Sequence, residues 1–309
     1  MSGSQRLLAL CAVAASSASL LAMQAAVAQD KPIDKVSPVT EEMLLNPPDG
    51  DWLMWRRTYN GWGYSPLDQI NKENVKDLKL AWAWGMTPGG RTQETPLVHD
   101  GVMYIQNSTH LIQALDAATG ELIWEYQYEL PDEVNPSGER NKAIYGDKLF
   151  VATRDAHILA LDTKTGKLVW DQQVADYKKG FAYSSGPIVA NGVIIQGMTN
   201  CSMAQPGGCF FTGHDPDTGA ELWRVNTIAR GDTPEGNSWN GMPLESRHGA
   251  SAWIAGSYDP EQNLILAGVG QPYPWNAEIA GLTPKSSDPN VTNEALYTER
   301  WLGKSEQGG

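Results

Sequence analysis

Two cysteines near the middle of the chain are the residues whose type and spacing most directly suggest chemistry. Cys201 and Cys209 enclose a short segment, residues 202–208, whose Pro and Gly residues allow the chain to turn back on itself. In an oxidising compartment such a pair forms a disulfide that closes a small loop. The alternative is a redox-active or metal-binding pair, which needs an activated thiolate or further soft ligands, and neither is evident in the neighbouring sequence. The sequence therefore predicts a disulfide, provided that the chain is exported.

The first 28 residues have the features of a secretory leader. Arg6 gives a positive start, residues 7–23 are almost wholly apolar or small, and Ala26-Val27-Ala28 has the form that signal peptidase accepts. The apolar run is short and rich in Ala and Ser for a transmembrane span, although a retained anchor with membrane association is the alternative. We therefore predict that residues 1–28 are removed. Cys11 leaves with them, and an even pair of cysteines remains.

The charge and length of the chain limit its class. The 309 residues are enough for one large domain or two ordinary ones. The net charge is −13, and it becomes −14 without the leader, which holds one base and no acid. This charge argues against nucleic acid as a partner and against binding to acidic lipid. It is compatible with a basic partner, and equally with an acidic surface that serves solubility.

An internal repeat must position any site in this chain. Three segments share the pattern Ala/Gly-x-Asp-x-x-Thr-Gly-x-x-x-Trp, namely Ala114–Trp124, Ala160–Trp170 and Gly213–Trp223. Asp and Thr-Gly in this order predict a tight turn, in which Asp accepts local backbone N–H groups and Gly adopts a positive φ. The Trp that follows ends an outer strand, where its ring can pack between neighbouring units.

The segments upstream of each copy complete a unit of four strands. Hairpin signals precede the three copies, at Asp100-Gly101, Gly146-Asp147 and Asn191-Gly192. Units of this size with four short strands are β-propeller blades, so the sequence predicts an all-β propeller. A fourth, weaker copy over Ser257–Ala267 lacks Thr-Gly and Trp. The repeated Trp and Asp residues are interpreted as architectural: Trp124, Trp170, Trp223, Asp116, Asp162 and Asp215.

The repeated tryptophan-docking motif resembles that of the PQQ-dependent (quinoprotein) alcohol dehydrogenases, the methanol/ethanol dehydrogenase family. The resemblance extends from about Trp52 to about Thr298 and includes Gly63–Leu67, Gln93–Leu97 and Gly268–Asn276. Because some non-enzymatic propellers carry the docking motif, the last of these stretches is the more specific signal. A family propeller has eight blades, and this sequence supplies about four.

The resemblance implies an oxidoreductase of the periplasm. It implies that an alcohol CH–OH group is oxidised to a carbonyl with PQQ as cofactor and a calcium or lanthanide ion as its partner. Electrons would then pass to a cytochrome c. The first alternative is a non-catalytic propeller scaffold, like the outer-membrane assembly lipoproteins that share the motif. The second is an inactive fragment of the enzyme lineage.

Five residues fall at cofactor-contacting positions of the family. PQQ is a flat tricarboxylate, so its site needs an aromatic floor and cationic or hydrogen-bonding groups. By resemblance, Trp253 stacks on the cofactor and Arg140 contacts a carboxylate. Gln93, Ser184 and Thr199 match further polar contacts. The alternative for each is an ordinary core Trp, a solvated loop Arg, or plain strand and loop residues.

The sequence also departs from the family pattern. The adjacent-cysteine pair that lies over the cofactor is expected near Val134-Asn135 and is absent. The metal-ligating glutamate is expected within residues 199–208, which contain no acid, only the Cys201–Cys209 loop. The metal-ligating asparagine corresponds to Gln271, which is one methylene longer. The expected ligand set for a hard cation is therefore incomplete.

The family's catalytic aspartate has no counterpart in these 309 residues, because it lies further along the family sequence. The family-like pattern stops after Thr298, and residues 299–309 show neither strand alternation nor a docking motif. We therefore divide the chain into a leader (1–28), a partial quinoprotein propeller (29–298) and an atypical tail (299–309). We expect a truncated product or half of a split gene, which associates with itself or with a second chain.

Overall fold

The structure is a computed structural model that describes residues 33, 35–86, 92–136, 140–201, 207–230, 238–273 and 301–302. The predicted leader lies outside these residues. Helix is scarce in the described part. α1 (Glu41–Leu45) is a single turn capped by the Thr40 hydroxyl, and short 3-10 turns include Val75–Asp77, Tyr177–Lys179 and Leu244–Ser246. No helix among the described residues has the length and apolar character needed to cross a bilayer.

Three antiparallel sheets of four strands follow one another along the chain. Blade one consists of β1 (Leu97–His99), β2 (Val102–Gln106), β3 (Leu111–Asp116) and β4 (Leu122–Gln127). Blade two consists of β5 (Ala143–Tyr145), β6 (Lys148–Ala152), β7 (His157–Asp162) and β8 (Leu168–Gln173). Blade three consists of β9 (Ile188–Ala190), β10 (Val193–Gly197), β11 (Phe210–His214) and β12 (Glu221–Asn226). The strands pair in chain order, which confirms the four-stranded unit.

The fourth, weaker copy also forms strands. β14 (Ser257–Asp259) pairs with β15 (Leu264–Gly268), and beside them β13 (His248–Gly249) pairs with β16 (Pro272–Tyr273). β17 (Trp301–Leu302) pairs with β15, although the sequence predicts no strand within residues 299–309. The short β17 is the exception to that expectation.

The turns of the repeat have the predicted chemistry. Asp162 Oδ1 accepts hydrogen bonds from the backbone N–H groups of Lys164 and Thr165, at 3.1 and 2.8 Å. Gly166 follows with a φ of +70°, a conformation that glycine adopts without steric cost. Asp116 and Asp215 make the corresponding bonds in the other two turns.

Two of the three repeat tryptophans, Trp124 and Trp170, pack on the turn of the next blade. Trp124 donates its indole N–H to the Thr163 carbonyl at 2.9 Å, and its ring covers Gly166. Trp170 donates to the Pro216 carbonyl at 3.1 Å and covers Gly219. The prediction that these rings pack between units is therefore confirmed.

A further docking tryptophan was not predicted from the sequence. Trp82 lies upstream of blade one, donates its indole N–H to the Ala117 carbonyl at 3.1 Å, and covers Gly120. It thus occupies the same place relative to blade one that Trp124 occupies relative to blade two. The segment around it exposes many large apolar side chains, namely Trp62, Tyr64, Leu67, Ile70, Val75, Leu78, Leu80 and Met86.

The packing of Trp124 on Gly166 can be tested by substitution of the glycine. At Gly166 a Cβ atom would lie 2.5 Å from a ring carbon of Trp124. We expect Gly166→Ala to lower the free energy of unfolding by about 2–4 kcal/mol, from overpacking and from the positive φ together. Gly146→Ala is the matched control, because Gly146 also has a positive φ (+58°) but nothing within 4 Å of the added methyl. Equal urea midpoints for the two variants would contradict this account.

The strand order separates the connections onto two edges of the blades. In an antiparallel sheet paired in chain order, the first–second and third–fourth connections lie at one edge, here called the turn edge. The second–third connections and the links between blades lie at the other, here called the loop edge. All predicted site residues lie in the segments of the loop edge: Gln93, Arg140, Ser184, Thr199, Trp253 and Gln271.

The N-terminal segment is fastened to the turn edge through His99. One ring nitrogen of His99 bonds Asp51 Oδ2 at 2.7 Å, and the other lies 2.8 Å from the Ser37 carbonyl. Burial tends to lower the pKa of His99, but the hydrogen bonds to Asp51 and Ser37 and the charge of Asp100 outweigh burial, so the pKa is raised. Both ring nitrogens face oxygen acceptors, and only the protonated ring can donate to both of them.

This cluster predicts a pH dependence of stability. The raised pKa of His99 in the folded state adds stability that is fully present below about pH 6.5, the ordinary value. That stability is lost as the pH rises through the folded-state pKa. We expect the urea midpoint of the wild type to fall more between pH 6 and pH 9 than that of His99→Gln. Parallel profiles for the two proteins would exclude this role.

Candidate functional site

Three of the predicted site residues meet at the loop edge. The Arg140 guanidinium donates to the Ser184 carbonyl at 2.6 Å and to the Trp253 carbonyl at 3.3 Å. Its central carbon lies 5.2 Å from the centroid of the Trp253 ring. Blade-to-blade packing thus brings together residues from three different connections along the chain.

Trp253 differs from the tryptophans of the core. It is 47% exposed, whereas Trp124 and Trp239 are buried. An exposed indole beside a guanidinium offers a stacking surface and a positive charge together, which suits a flat anionic ring system. The donor set of this corner therefore fits the carboxylates and the ring of PQQ.

The other two polar residues occupy different environments. Gln93 is exposed. Thr199 is buried, and its hydroxyl donates to the Ala182 carbonyl at 2.7 Å, while the backbones of Thr199 and Ala182 are bridged. Thr199 therefore holds two connections of the loop edge together. Its contact with a cofactor stays a prediction.

The residues described near Gln271 do not by themselves fit a divalent cation. Gln271 is exposed, and its amide N–H donates to the Tyr273 hydroxyl at 2.7 Å. A hard cation takes several oxygen ligands, normally with carboxylates among them. Within the described ranges, the only group of three candidate metal-ligating side chains is Asp51, His99 and Asp100, at the turn edge. Gln271 as a metal ligand stays a prediction.

The disulfide is confirmed. Cys201 and Cys209 are joined, with their Cα atoms 5.4 Å apart, and the loop they close lies between β10 and β11 at the loop edge. Both sulfurs are buried in an apolar cluster formed by strands and connections of blades two and three. The other members of this cluster are Ala152, Ala156, Ile158, Val174, Tyr183, Met198 and Phe210.

Removal of this buried disulfide is expected to lower the stability of the protein. We expect Cys201→Ala/Cys209→Ala to lower the free energy of unfolding by about 2–4 kcal/mol, from the loop-closure entropy of the unfolded chain. Urea titration measures the change. Treating the unfolded wild type with a reductant before refolding serves as the matched comparison. A midpoint unaffected by either treatment would show that the bond contributes nothing.

A polar cleft opens among the connections of the loop edge. It has a volume of about 420 Å³ and includes Val134 and Asn135, where the resemblance predicts the missing cysteine pair. Arg154 and Lys178 contribute positive charge and Glu133 a negative one. The remaining lining residues are Tyr177, Phe181, Ala182 and Asn200. The sequence did not point to Arg154, because its position shortly after β6 carries no motif.

A buried ion pair next to the site was also missed. Lys142 is fully buried and contacts the carboxylate of Glu94, which is 4% exposed. These residues follow Arg140 and Gln93 closely in the sequence. A lysine and a glutamate on loop segments are ordinarily interpreted as solvated, so no sequence pattern pairs them.

Comparison with known proteins identifies the family of the propeller. Residues 52–276 match the PQQ family described as glucose/ethanol/alcohol dehydrogenase, beta-propeller domain. Quinoprotein alcohol dehydrogenase PedH of Pseudomonas putida is 36% identical over 265 residues, which cover 77% of this chain and 43% of PedH. The 1-butanol dehydrogenase (quinone) of Thauera butanivorans is 33% identical over 319 residues, which cover 90% of this chain and 50% of that protein.

A solved structure shows the same arrangement of strands. Quinohemoprotein alcohol dehydrogenase ADHIIG from Pseudomonas putida HK5 superimposes with a TM-score of 0.72 at 28% identity. The superposition covers 87% of this chain and 42% of that one. The chain therefore spans about half the length of the relatives it matches.

Proposed function

Since this chain belongs to the PQQ-dependent glucose/ethanol/alcohol dehydrogenase β-propeller family, we propose that it forms part of the cofactor-binding face of a quinoprotein that oxidises alcohols to carbonyl compounds. The observation that carries the proposal is the Arg140–Trp253 corner. A cation and a half-exposed indole meet there on the loop edge, with the Arg140 carbon 5.2 Å from the ring. A propeller that served only as a scaffold would not need this pair.

Each residue of the corner has a separate task. Trp253 provides the surface on which the flat ring stacks, and Arg140 neutralises a carboxylate. Gln93, Ser184 and Thr199 are the further polar cofactor contacts that the family resemblance assigns. PQQ, when bound, supplies the electrophilic carbonyl carbon that accepts hydride from the alcohol.

The alcohol proton requires a separate base. Loss of hydride from carbon yields a carbonyl only when the hydroxyl proton also departs. The assigned residues offer a guanidinium, an indole, an amide and two hydroxyls, none of which accepts a proton at neutral pH. The base therefore lies outside this set of residues.

The remaining parts of the proposal concern the surroundings of the enzyme. We place it in the periplasm, with a small alcohol as substrate and a cytochrome c as electron acceptor. A calcium or lanthanide ion, with Gln271 among its ligands, is the cation expected beside the cofactor. The exposed apolar side chains of the segment around Trp82 support self-association or a second chain that completes the propeller.

Binding of PQQ is the direct test. The chain without its leader is titrated with PQQ, and quenching of tryptophan fluorescence is followed. Saturable binding is expected, and Arg140→Ala is expected to weaken it by about ten-fold through loss of a charge-assisted contact. Lys178→Ala, which removes a cation from the polar cleft and leaves Arg140 and Trp253 in place, serves as the control. Absence of saturable binding by the wild type would overturn the proposal.

A further inference from the structure

The buried pair of Glu94 and Lys142 is the unusual charged feature of the loop edge. The Lys142 side chain is completely buried and that of Glu94 is 4% exposed. The Lys142 ammonium also lies 3.4 Å from the carbonyl of Thr95. Complete burial lowers the pKa of Lys142 to about 7. Charges are tolerated in such a place only when they are paired, and here the ammonium and the carboxylate are in contact.

The pair joins the two segments that carry Gln93 and Arg140. Gln93 directly precedes Glu94, and Arg140 lies two residues before Lys142. The backbone N–H of Thr95 donates to the Arg140 carbonyl at 3.0 Å. One backbone bond and one ion pair therefore connect the same two short segments, on either side of the site residues.

The segment around Lys142 is tied to a third part of the site through Asn141. The Asn141 amide donates to the Pro187 carbonyl at 2.9 Å and accepts the Gly186 N–H at 3.0 Å. Gly186 lies so close to the Asn141 backbone that a Cβ atom there would clash. These contacts reach the connection that contains Ser184, so three site-bearing segments converge on residues 140–142.

We propose that the Glu94–Lys142 ion pair is a positioning clamp that holds Gln93 and Arg140 at a fixed separation, so that both reach the same bound PQQ molecule. The inference rests on the proposed function. A buried ion pair holds its two segments at contact distance, because separating the charges leaves both of them buried without a partner, whereas apolar side chains of equal volume fill the same space without that constraint. Neither residue touches the cofactor in this proposal; both act through their neighbours in the chain.

The test compares stability with cofactor affinity in the same variants. Glu94→Leu/Lys142→Met replaces the pair with apolar side chains of similar length. We expect its urea midpoint to stay close to the wild-type value, while its Kd for PQQ rises at least ten-fold. The single variant Lys142→Met is expected to unfold at lower urea, because it leaves Glu94 buried without its partner. Glu94→Gln keeps the shape of the site and is expected to fold, with Kd raised at least three-fold.

A buried pair at the opposite edge provides the matched control. His99→Gln removes the contact with Asp51 at the turn edge, and it is expected to lower stability without a change in the PQQ affinity. If the double variant folds and binds PQQ as tightly as the wild type, the pair is merely structural and the proposal is overturned. If the double variant does not fold, an unchanged PQQ affinity of Glu94→Gln overturns the proposal instead. A wild type that binds no PQQ overturns the proposed function together with this inference.

Discussion

Replacing Trp253 with alanine is expected to weaken PQQ binding by about five- to a hundred-fold. Loss of one stacking face for an aromatic ligand is on the order of 1–3 kcal/mol. Because 47% of the side chain is exposed, the substitution removes little buried packing, and the fold should be preserved. Fluorescence or absorbance titration with PQQ measures the change, and Trp253→Phe is expected to retain most of the affinity.

Trp62→Ala is the control for this experiment. Trp62 is 77% exposed in the N-terminal segment and belongs to none of the loop-edge connections. Its removal is expected to leave the Kd unchanged while lowering the total fluorescence. Equal affinities for the wild type and Trp253→Ala, with both proteins folded, would show that the stacking role does not carry over to this residue.

The 309-residue chain alone is expected to show no dye-linked turnover of simple alcohols, even with PQQ and calcium or a lanthanide added. The assigned residues contain no base for the hydroxyl proton, and removing a general base alone typically lowers a rate by about 100- to 10,000-fold. Residues 199–208 also lack the expected acidic ligand, and Gln271 offers only a neutral oxygen. The predicted site residues thus supply neither an acidic ligand for the cation nor a base for the hydroxyl proton.

The assay must separate missing chemistry from missing cofactor. PQQ binding is therefore measured in the same preparation, so that absence of turnover is interpreted only for a loaded chain. Clear turnover by the loaded chain would refute the expectation. It would call for a base in a residue not assigned here, or in a neighbouring copy, and mixing experiments with inactive variants would tell these apart.

The blades could be predicted from the sequence because their signals are local. Asp162, Thr165 and Gly166 define a turn by their own hydrogen bonds, and Trp124 needs only that turn to dock on. Trp82 was not predicted because the local signal is absent around it. It docks on the Gly120 turn as the others do, but no Asp-x-x-Thr-Gly turn precedes it in the sequence.

The site was predicted less completely because it depends on contacts between blades. The resemblance named Arg140 and Trp253, which are 113 residues apart, but only packing shows that they touch. The Glu94–Lys142 pair was beyond sequence reasoning. Burial of a lysine is decided by what closes over it, and here that is a carboxylate 48 residues away.

The series of docking contacts makes the molecule a chain of nearest-neighbour couplings. Trp82 joins the segment upstream of blade one to blade one. Trp124 joins blade one to blade two, and Trp170 joins blade two to blade three. Trp223 comes next, but its buried indole N–H meets no acceptor in the described part of the chain. Cooperativity in such an array decays with distance from a weak link. Amide exchange is therefore expected to be slowest in blades one and two, which are coupled on both sides, and to quicken towards the fourth unit.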